Sequence, residues 1–214
     1  MRWSAPILSV VLAAGCAQTG QEKLRAYADE GRQLFRQGAY AEARDNYQTA
    51  LQMSPNDPEL QYNLARCQQK LGKTEEAEKL YRACLRANPS HTEAGFALVS
   101  LLGESGRTLQ ANEFTADWLR QRPRAAGPYV ADGYLRAKAG DLDAARARYH
   151  QALDFEPRNA RAMTELAAIY EKTDRTDRAL VLYERSLEAN PDQPIVRTHV
   201  QALLAKGITR PRPD

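Results

Sequence analysis

The sequence has few of the residues from which metal sites and nucleophilic sites are built. Its 214 residues include three cysteines and three histidines, and no two histidines are spaced as metal ligands on one helical turn. It contains no Cys-x-x-Cys motif, no Gly-x-Ser-x-Gly motif of serine hydrolases and no complete phosphate-binding loop. We therefore predict a protein that is not an enzyme and has no catalytic residues, no metal, no cofactor and no small-molecule substrate.

The excess of positive charge is also small. Thirty Lys and Arg residues stand against 27 Asp and Glu residues, which gives a formal net charge of +3. Nucleic-acid binding would need basic residues clustered on one face, so we predict no nucleic-acid partner. The longest apolar run, residues 6–14, is too short to cross a bilayer as a stable helix.

That apolar run belongs to a targeting signal. Arg2 precedes it, and Leu12-Ala13-Ala14-Gly15-Cys16 follows, which resembles the signal of bacterial lipoproteins. The resemblance implies that residues 1–15 are a removed signal peptide and that Cys16 is acylated, with palmitate among its chains. The alternative is an ordinary secretory peptide in which Cys16 is incidental.

The residues after the signal predict where the protein is held. Residue 17 is alanine rather than aspartate, which by analogy with enterobacterial lipoproteins favours the outer membrane. We therefore predict a lipid-anchored protein that faces the periplasm. Residues 16–23, the acylated cysteine and a short linker, would keep the rest of the chain close to the membrane, because seven extended residues reach only about 25 Å.

A 34-residue period runs through most of the chain. Prolines and alanines recur at this spacing in five copies, and an aromatic residue and a glycine recur in four. The repeated residues are Pro55, Pro89, Pro123, Pro157 and Pro191; Ala43, Ala77, Ala111, Ala145 and Ala179; Tyr47, Tyr81, Tyr149 and Tyr183, with Thr115 in the third copy; and Gly38, Gly72, Gly106 and Gly140, with Asp174 in the fifth. Self-similarity of this length is typical of a stacked repeat architecture.

Each copy is predicted to form two helices separated by a glycine-centred turn. In the fourth copy Ala145, Tyr149, Ala152 and Leu153 fall at i, i+4, i+7 and i+8, which is one face of a helix. The alanine allows close approach of the paired helix, and the tyrosine fills the space one turn further on. The proline ends the second helix. Because one hairpin cannot bury its own apolar face, neighbouring hairpins must stack on each other.

This pattern resembles the tetratricopeptide-repeat (TPR) family. The resemblance covers residues 24–193 and also includes a leucine four residues before each proline and the small residues Gly31, Ala65, Gly133 and Ala167. It implies an all-α fold, a right-handed α-solenoid of five helix-turn-helix repeats at residues 24–57, 58–91, 92–125, 126–159 and 160–193. A helix over residues 194–206 is predicted to cap the array, and residues 207–214 are predicted to be a disordered tail. Val99 and Trp118 replace small residues in the third repeat, which predicts a wider helix spacing there.

The resemblance also implies that the first helix of each repeat lines a groove for a partner. It places these residues in the groove: Arg32, Arg36, Tyr62, Asn63, Arg66, Lys70, Phe96 and Tyr134. The first two repeats would be basic and the next two aromatic, so the groove suits a peptide with an acidic part and a hydrophobic part. The alternative is a solvated face with scattered aromatic residues. We favour binding, because exposed aromatic side chains gathered on one face usually mark an interaction site.

The remaining cysteines and histidines are predicted to be structural or solvated. Cys67 and Cys84 fall in one repeat, and in an oxidising compartment a disulfide must be considered. Their positions differ by about 7–8 Å along the helix axis, whereas the Cβ atoms of a disulfide lie about 3.8 Å apart. We therefore predict two buried thiols. His91 and His150 are predicted to be solvated.

Together these features predict a lipid-anchored adaptor that binds a partner protein at the outer membrane. A short TPR lipoprotein of this kind resembles the pilus-assembly lipoproteins of the Tad (Flp) system and the pilotins of type IV pili. That resemblance implies that the partner is a secretin, the ring-forming channel of the outer membrane, or another pilus or secretion component. The alternative is an envelope scaffold that docks periplasmic cell-wall enzymes such as peptidoglycan hydrolases.

Overall fold

The computed structural model describes residues 7–210, with side chains from Thr19 onward. Over these residues the regular structure consists of eleven α-helices and no strand, which confirms the predicted all-α class. The helices are α1 (Ile7–Gln37), α2 (Tyr40–Met53), α3 (Pro58–Lys70), α4 (Thr74–Ala87), α5 (Thr92–Glu104), α6 (Thr108–Gln121), α7 (Ala126–Lys138), α8 (Leu142–Phe155), α9 (Ala160–Lys172), α10 (Thr176–Ala189) and α11 (Pro194–Ala205).

The chain divides into two compact parts, an N-terminal half up to Ala94 and a C-terminal half from Gly95. In the N-terminal half, α1 packs on α2, α2 on α3 and α3 on α4. In the C-terminal half, α6 packs on α7, and each helix from α7 to α10 packs on the next one along the chain. In both halves these consecutive helices therefore pair in space, as the hairpin pattern predicts.

Prolines and glycines set the ends of the helices. Each second helix of a repeat ends two residues before its repeat proline, as α8 does before Pro157. The reason is that the residue before a proline is held out of the helical region, and Glu156 has φ −134° and ψ 85°. The turns inside the repeats use a left-handed residue, such as Gly140 with φ 86°. In the fifth repeat Asp174 takes that conformation, with φ 60°.

The repeated alanines and tyrosines form the core of the helix pairs. Every repeat alanine is 0% exposed, and no repeat tyrosine is more than 2% exposed. In the N-terminal half this core also includes Leu60, Leu64 and Cys67. The small alanine side chains bring the paired backbones together, so a larger residue at these positions has no space to enter.

The third repeat fills its core in a different way. Thr115 stands in the place of the tyrosine and donates its hydroxyl to the carbonyl oxygen of Ala111 at 2.8 Å. The indole of Trp118 occupies space beside Gly95, where an added Cβ would lie only 2.5 Å from the Trp118 Cη2 atom. Trp118 was expected to widen the helix spacing, but Gly95 on the facing helix leaves room for its indole.

Both ends of the array differ from the sequence prediction. Residues 19–23, most of the predicted linker, belong to α1. As a helix these five residues span about 8 Å, whereas an extended chain of the same length would span about 17 Å. At the other end, residues 207–210 of the predicted tail contact the protein. The amide of Ile208 donates to the Leu203 carbonyl at 3.2 Å. The Arg210 guanidinium donates to both carboxylate oxygens of Glu184, at 2.7 and 2.9 Å.

Candidate functional site

In the N-terminal half, three side chains from α1 and α3 form what we call the N-terminal cluster: Phe35, Tyr62 and Arg66. The guanidinium carbon of Arg66 lies 4.2 Å from the centre of the Phe35 ring and 5.6 Å from that of Tyr62. Cation–π contacts of this kind contribute about 0.5–2 kcal/mol each. Because Arg66 is only half-buried, the two rings fix the direction of a charge that solvent or a partner can still reach.

The other predicted groove residues of this half lie on α1 and α3, the two helices that carry the cluster. Arg32, Arg36 and Lys70 are exposed, and Arg32 donates to the Asp29 carboxylate at 3.0 Å. Asn63 is half-buried, and its amide donates to the Glu59 carbonyl oxygen at 2.8 Å, so this donor is used within its own helix. A role for these residues in binding stays a prediction.

His91 is buried behind this cluster, so the prediction that it is solvated was wrong. It is 6% exposed, and its ring centre lies 4.7 Å from that of Tyr62. Its Nδ1 atom accepts a hydrogen bond from the amide of Ala94 at 3.2 Å, which caps the first turn of α5. Its Nε2 atom lies 3.2 Å from a carboxylate oxygen of Glu59. The residue thus joins α3, α5 and the N-terminal cluster.

We expect His91→Ala to lower the free energy of unfolding by about 1 kcal/mol, because the start of α5 loses its side-chain acceptor. In His91→Asn the side-chain oxygen can still accept a hydrogen bond from the amide of Ala94, so this variant should lose much less stability. Urea-induced unfolding followed by circular dichroism would measure both variants. Equal losses for Ala and Asn would show that the imidazole acts through packing and not as a cap.

In the C-terminal half, Phe96, Tyr134 and Arg161 form the C-terminal cluster. The rings of Phe96 and Tyr134 meet edge to face, with their centres 5.3 Å apart, and the Arg161 guanidinium carbon lies 4.2 Å from the centre of Phe96. Phe96 is only 7% exposed, so the expectation of an exposed phenylalanine was wrong. Tyr134 remains half-buried, and its hydroxyl lies 3.2 Å from that of Ser100.

Charged side chains of α7 and α9 lie around the C-terminal cluster. The Lys138 ammonium group is 5.6 Å from the centre of the Tyr134 ring. Burial raises the pKa of Glu165, against the opposing effect of the positive charges of Arg161 and Lys138. Together with Lys138, the cluster therefore presents two cations beside the half-buried ring of Tyr134, above the buried ring of Phe96. Such a surface can bind a carboxylate or a backbone carbonyl beside an apolar side chain.

Both clusters thus combine predicted residues with residues that the sequence analysis missed. Tyr62 and Arg66 come together in one cluster, and Phe96 and Tyr134 in the other. Phe35 and Arg161 were missed. The sequence does contain an indication of Arg161. It lies one helical turn before Glu165 on the first helix of its repeat, so both side chains lie on one face of that helix.

The two remaining cysteines are buried free thiols, as predicted. Burial raises the pKa of Cys67 to about 11 and that of Cys84 to about 12. At neutral pH very little thiolate is present, so neither residue is a reactive nucleophile. Among the residues that the structure describes, no group of three or more His, Cys, Asp or Glu residues is placed to hold a metal ion.

Cys16 and the predicted signal peptide, residues 1–15, lie outside the residues whose side chains the structure describes. Lipidation and the location at the outer membrane therefore stay predictions. Within the described part of the chain, no helix combines the length and the apolar character that crossing a membrane requires.

Comparisons with known proteins agree with the fold. Residues 34–102 and 136–207, more than half of the chain, match the family model described as tetratricopeptide repeat. A thermophilic TPR protein of Thermus thermophilus is 28% identical, with a TM-score of 0.65 over 85% of this chain and 99% of that chain. PilF of Pseudomonas aeruginosa is 15% identical, with a TM-score of 0.56 over 88% of this chain and 91% of that chain, which shows similarity of fold alone. The search of curated proteins found no match.

Proposed function

This chain belongs to the tetratricopeptide-repeat family, and from that premise we propose that it is an outer-membrane lipoprotein that holds a secretin or another pilus or secretion component during assembly. The repeat fold supports a protein-interaction adaptor, since stacked helix pairs leave the surfaces of their first helices for a partner chain. The observation that carries the proposal is the pairing of an arginine with an aromatic ring on those helices in both halves, Arg66 with Phe35 and Arg161 with Phe96.

The chemistry of these surfaces favours a partner segment that is acidic and partly apolar. In the N-terminal half, Arg32, Arg36 and Lys70 are exposed on the helices that carry the N-terminal cluster, so carboxylates of the partner could gain charge-assisted hydrogen bonds there. The half-buried rings of Phe35, Tyr62 and Tyr134 offer area for apolar side chains at low entropic cost. Arginine and tyrosine are also residues that commonly dominate the binding energy of an interface.

Cys16 supports the membrane part of the proposal. A single acyl chain binds a membrane only marginally, whereas two or more anchor a protein stably. An anchored adaptor raises the effective concentration of its partner near the membrane, which promotes assembly there without any additional contact. The pilus assignment itself is supported by the lipoprotein signal and by the size of the repeat array.

Co-purification from solubilised membranes would test the partner. We expect a secretin or pilus component to follow the wild-type protein and to be lost from the double variant Arg66→Glu, Arg161→Glu. The matched control is Arg86→Glu, Arg197→Glu, which changes two exposed arginines outside both clusters by the same charge. Recovery of peptidoglycan hydrolases in place of secretin or pilus proteins would replace the proposal with the cell-wall scaffold.

Replacement of the lipidated cysteine tests the anchor separately. We expect Cys16→Ser to move the protein from the membrane fraction to the soluble periplasmic fraction, because serine cannot take the thioether-linked lipid. The helical circular dichroism signal should be unchanged, since position 16 precedes the first repeat. Ala17→Ser, a change of similar size at the next residue, should leave the protein in the membrane. Retention of the Cys16→Ser protein in the membrane would contradict lipidation.

A further inference from the structure

A cavity of about 370 Å³ lies in the C-terminal half, lined by α8, α9 and α10. Its buried apolar residues are Leu166, Tyr170 and Leu182, which are 1%, 8% and 9% exposed. Leu153 and Val181 line it as well and are half-buried, so apolar surface remains open to a ligand. This volume lies within the range of about 300–1,000 Å³ that is usual for small-ligand pockets. We call it the α8–α10 pocket.

The pocket lies on a different face of α9 from the C-terminal cluster. Arg161 belongs to the cluster, and Glu165 follows it by one helical turn, whereas Leu166 and Tyr170 are one turn apart and line the pocket. One residue along a helix corresponds to a rotation of about 100°, so the two pairs of side chains leave the helix in different directions. A ligand in the pocket therefore leaves the cluster accessible.

Two arginines of α10 line one side of this pocket. Arg178 and Arg185 are exposed lining residues seven positions apart on α10, or about 10 Å along the helix axis. Within the described part of the chain, neither arginine makes a salt bridge, and no lining residue is acidic. Glu184, which precedes Arg185, is already bound by both guanidinium contacts of Arg210. Among the described residues, no carboxylate therefore lies within salt-bridge distance of Arg178 or Arg185.

The geometry points to a second binding site on this protein, and we propose that the α8–α10 pocket binds a peptide segment in which aliphatic side chains are flanked by carboxylates. The aliphatic side chains would enter the cavity against Leu166 and Leu182, where burial of apolar area contributes about 25 cal/mol per Å². Carboxylates on either side would pair with Arg178 and Arg185 through bidentate, charge-assisted hydrogen bonds. This site is independent of the clusters on which the proposed function rests.

Fluorescence anisotropy would test the proposal with the full chain in detergent micelles and a labelled Asp-Asp-Leu-Leu-Asp-Asp peptide. We expect binding that weakens as salt is raised. The double variant Arg178→Glu, Arg185→Glu should weaken it at least about tenfold, because two attractive pairs become repulsive. Arg178→Gln, Arg185→Gln should weaken it less, and circular dichroism would confirm that both variants stay folded.

Matched controls separate this site from general attraction of acidic peptides. Arg124→Glu, Arg175→Glu changes two exposed arginines of the same half that do not line the pocket, and it should leave the affinity within about twofold. The double variant Arg66→Glu, Arg161→Glu changes the two clusters and leaves the pocket intact. When the pocket variants are combined with it, they should therefore still weaken binding of the peptide. Equal weakening by the control pair would overturn the proposal. The proposal would also be overturned if Asp-Asp-Ser-Ser-Asp-Asp bound as tightly as the leucine peptide. Binding of laurate at the pocket without binding of the leucine peptide would overturn it as well.

Discussion

Replacing Ala145 with arginine is expected to lower the free energy of unfolding by about 4 kcal/mol or more. Ala145 is 0% exposed and lies on α8, which packs against α7 in its hairpin. The arginine would place a charge without a partner in a dry interface and would force the two backbones apart, and both effects destabilise the folded state. Urea-induced unfolding followed by circular dichroism at 222 nm would measure the change.

A matched control lies two residues further along the same helix. Ala147 is exposed, so Ala147→Arg adds the same side chain to α8 at the surface and should change the stability by no more than about 0.5 kcal/mol. The difference between the two variants isolates the effect of burial from that of helix propensity. If Ala145→Arg unfolds at the same urea concentration as the wild type, the pairing of α7 with α8 described here is wrong.

The sequence predicts the helix pairs well because their determinants are local. Pro157 excludes the residue before it from the helical region, and Gly140 adopts a left-handed turn that most residues avoid. Both effects act within a few residues, whatever the rest of the protein does. The recurrence of Ala145 and its equivalents then identifies the buried face, because only small residues allow two helices to approach so closely.

The clusters could not be predicted in the same way, because they depend on side chains from different repeats. Phe96 belongs to the third repeat and Arg161 to the fifth, and no period in the sequence indicates that the guanidinium reaches that ring. His91 follows a repeat proline closely and looked like a loop residue, yet it caps α5 and packs against Tyr62. The place of Trp118 likewise depends on Gly95, a pairing that is specific to one repeat.

Gly133→Ala is the second change for which we expect a large effect, a loss of about 2 kcal/mol. A Cβ added at Gly133 would lie 2.5 Å from Cε1 of Tyr149, closer than carbon atoms can approach, so the ring or the helix must move. Overpacking of this kind costs about 1–3 kcal/mol, and the better helix propensity of alanine, about 1 kcal/mol, offsets only part of it. Thermal and urea-induced unfolding would measure the loss.

The equivalent glycine of the first repeat provides the control. A Cβ added at Gly31 would lie 3.1 Å from the Tyr47 ring, so a shift of a few tenths of an ångström makes room for it. Because alanine also favours the helix, Gly31→Ala should be close to neutral. A loss at Gly31 as large as that at Gly133 would show that the cost does not depend on the approach of the tyrosine ring.

The other repeats indicate why the fourth one needs glycine. The second and fifth repeats have Ala65 and Ala167 at this position, and there the tyrosine hydroxyls donate to a side chain twelve residues earlier. Tyr81 donates to Gln69 at 2.7 Å, and Tyr183 donates to Glu171 at 3.0 Å. In the fourth repeat the corresponding residue is Ala137, and the buried Tyr149 hydroxyl has no hydrogen-bond partner among the described residues. We infer that this ring lies close to Gly133 because nothing draws its hydroxyl outward.

This reasoning makes the cost of Gly133→Ala dependent on Ala137. In the double variant Gly133→Ala, Ala137→Gln, the new amide oxygen can accept from Tyr149 and hold the ring away from the added methyl group, as Gln69 does for Tyr81 beside Ala65. We expect the double variant to recover at least about 1 kcal/mol relative to the sum of the two single changes, a coupling typical of residues in contact. Strict additivity in this cycle would show that the glycine and the missing acceptor are unrelated.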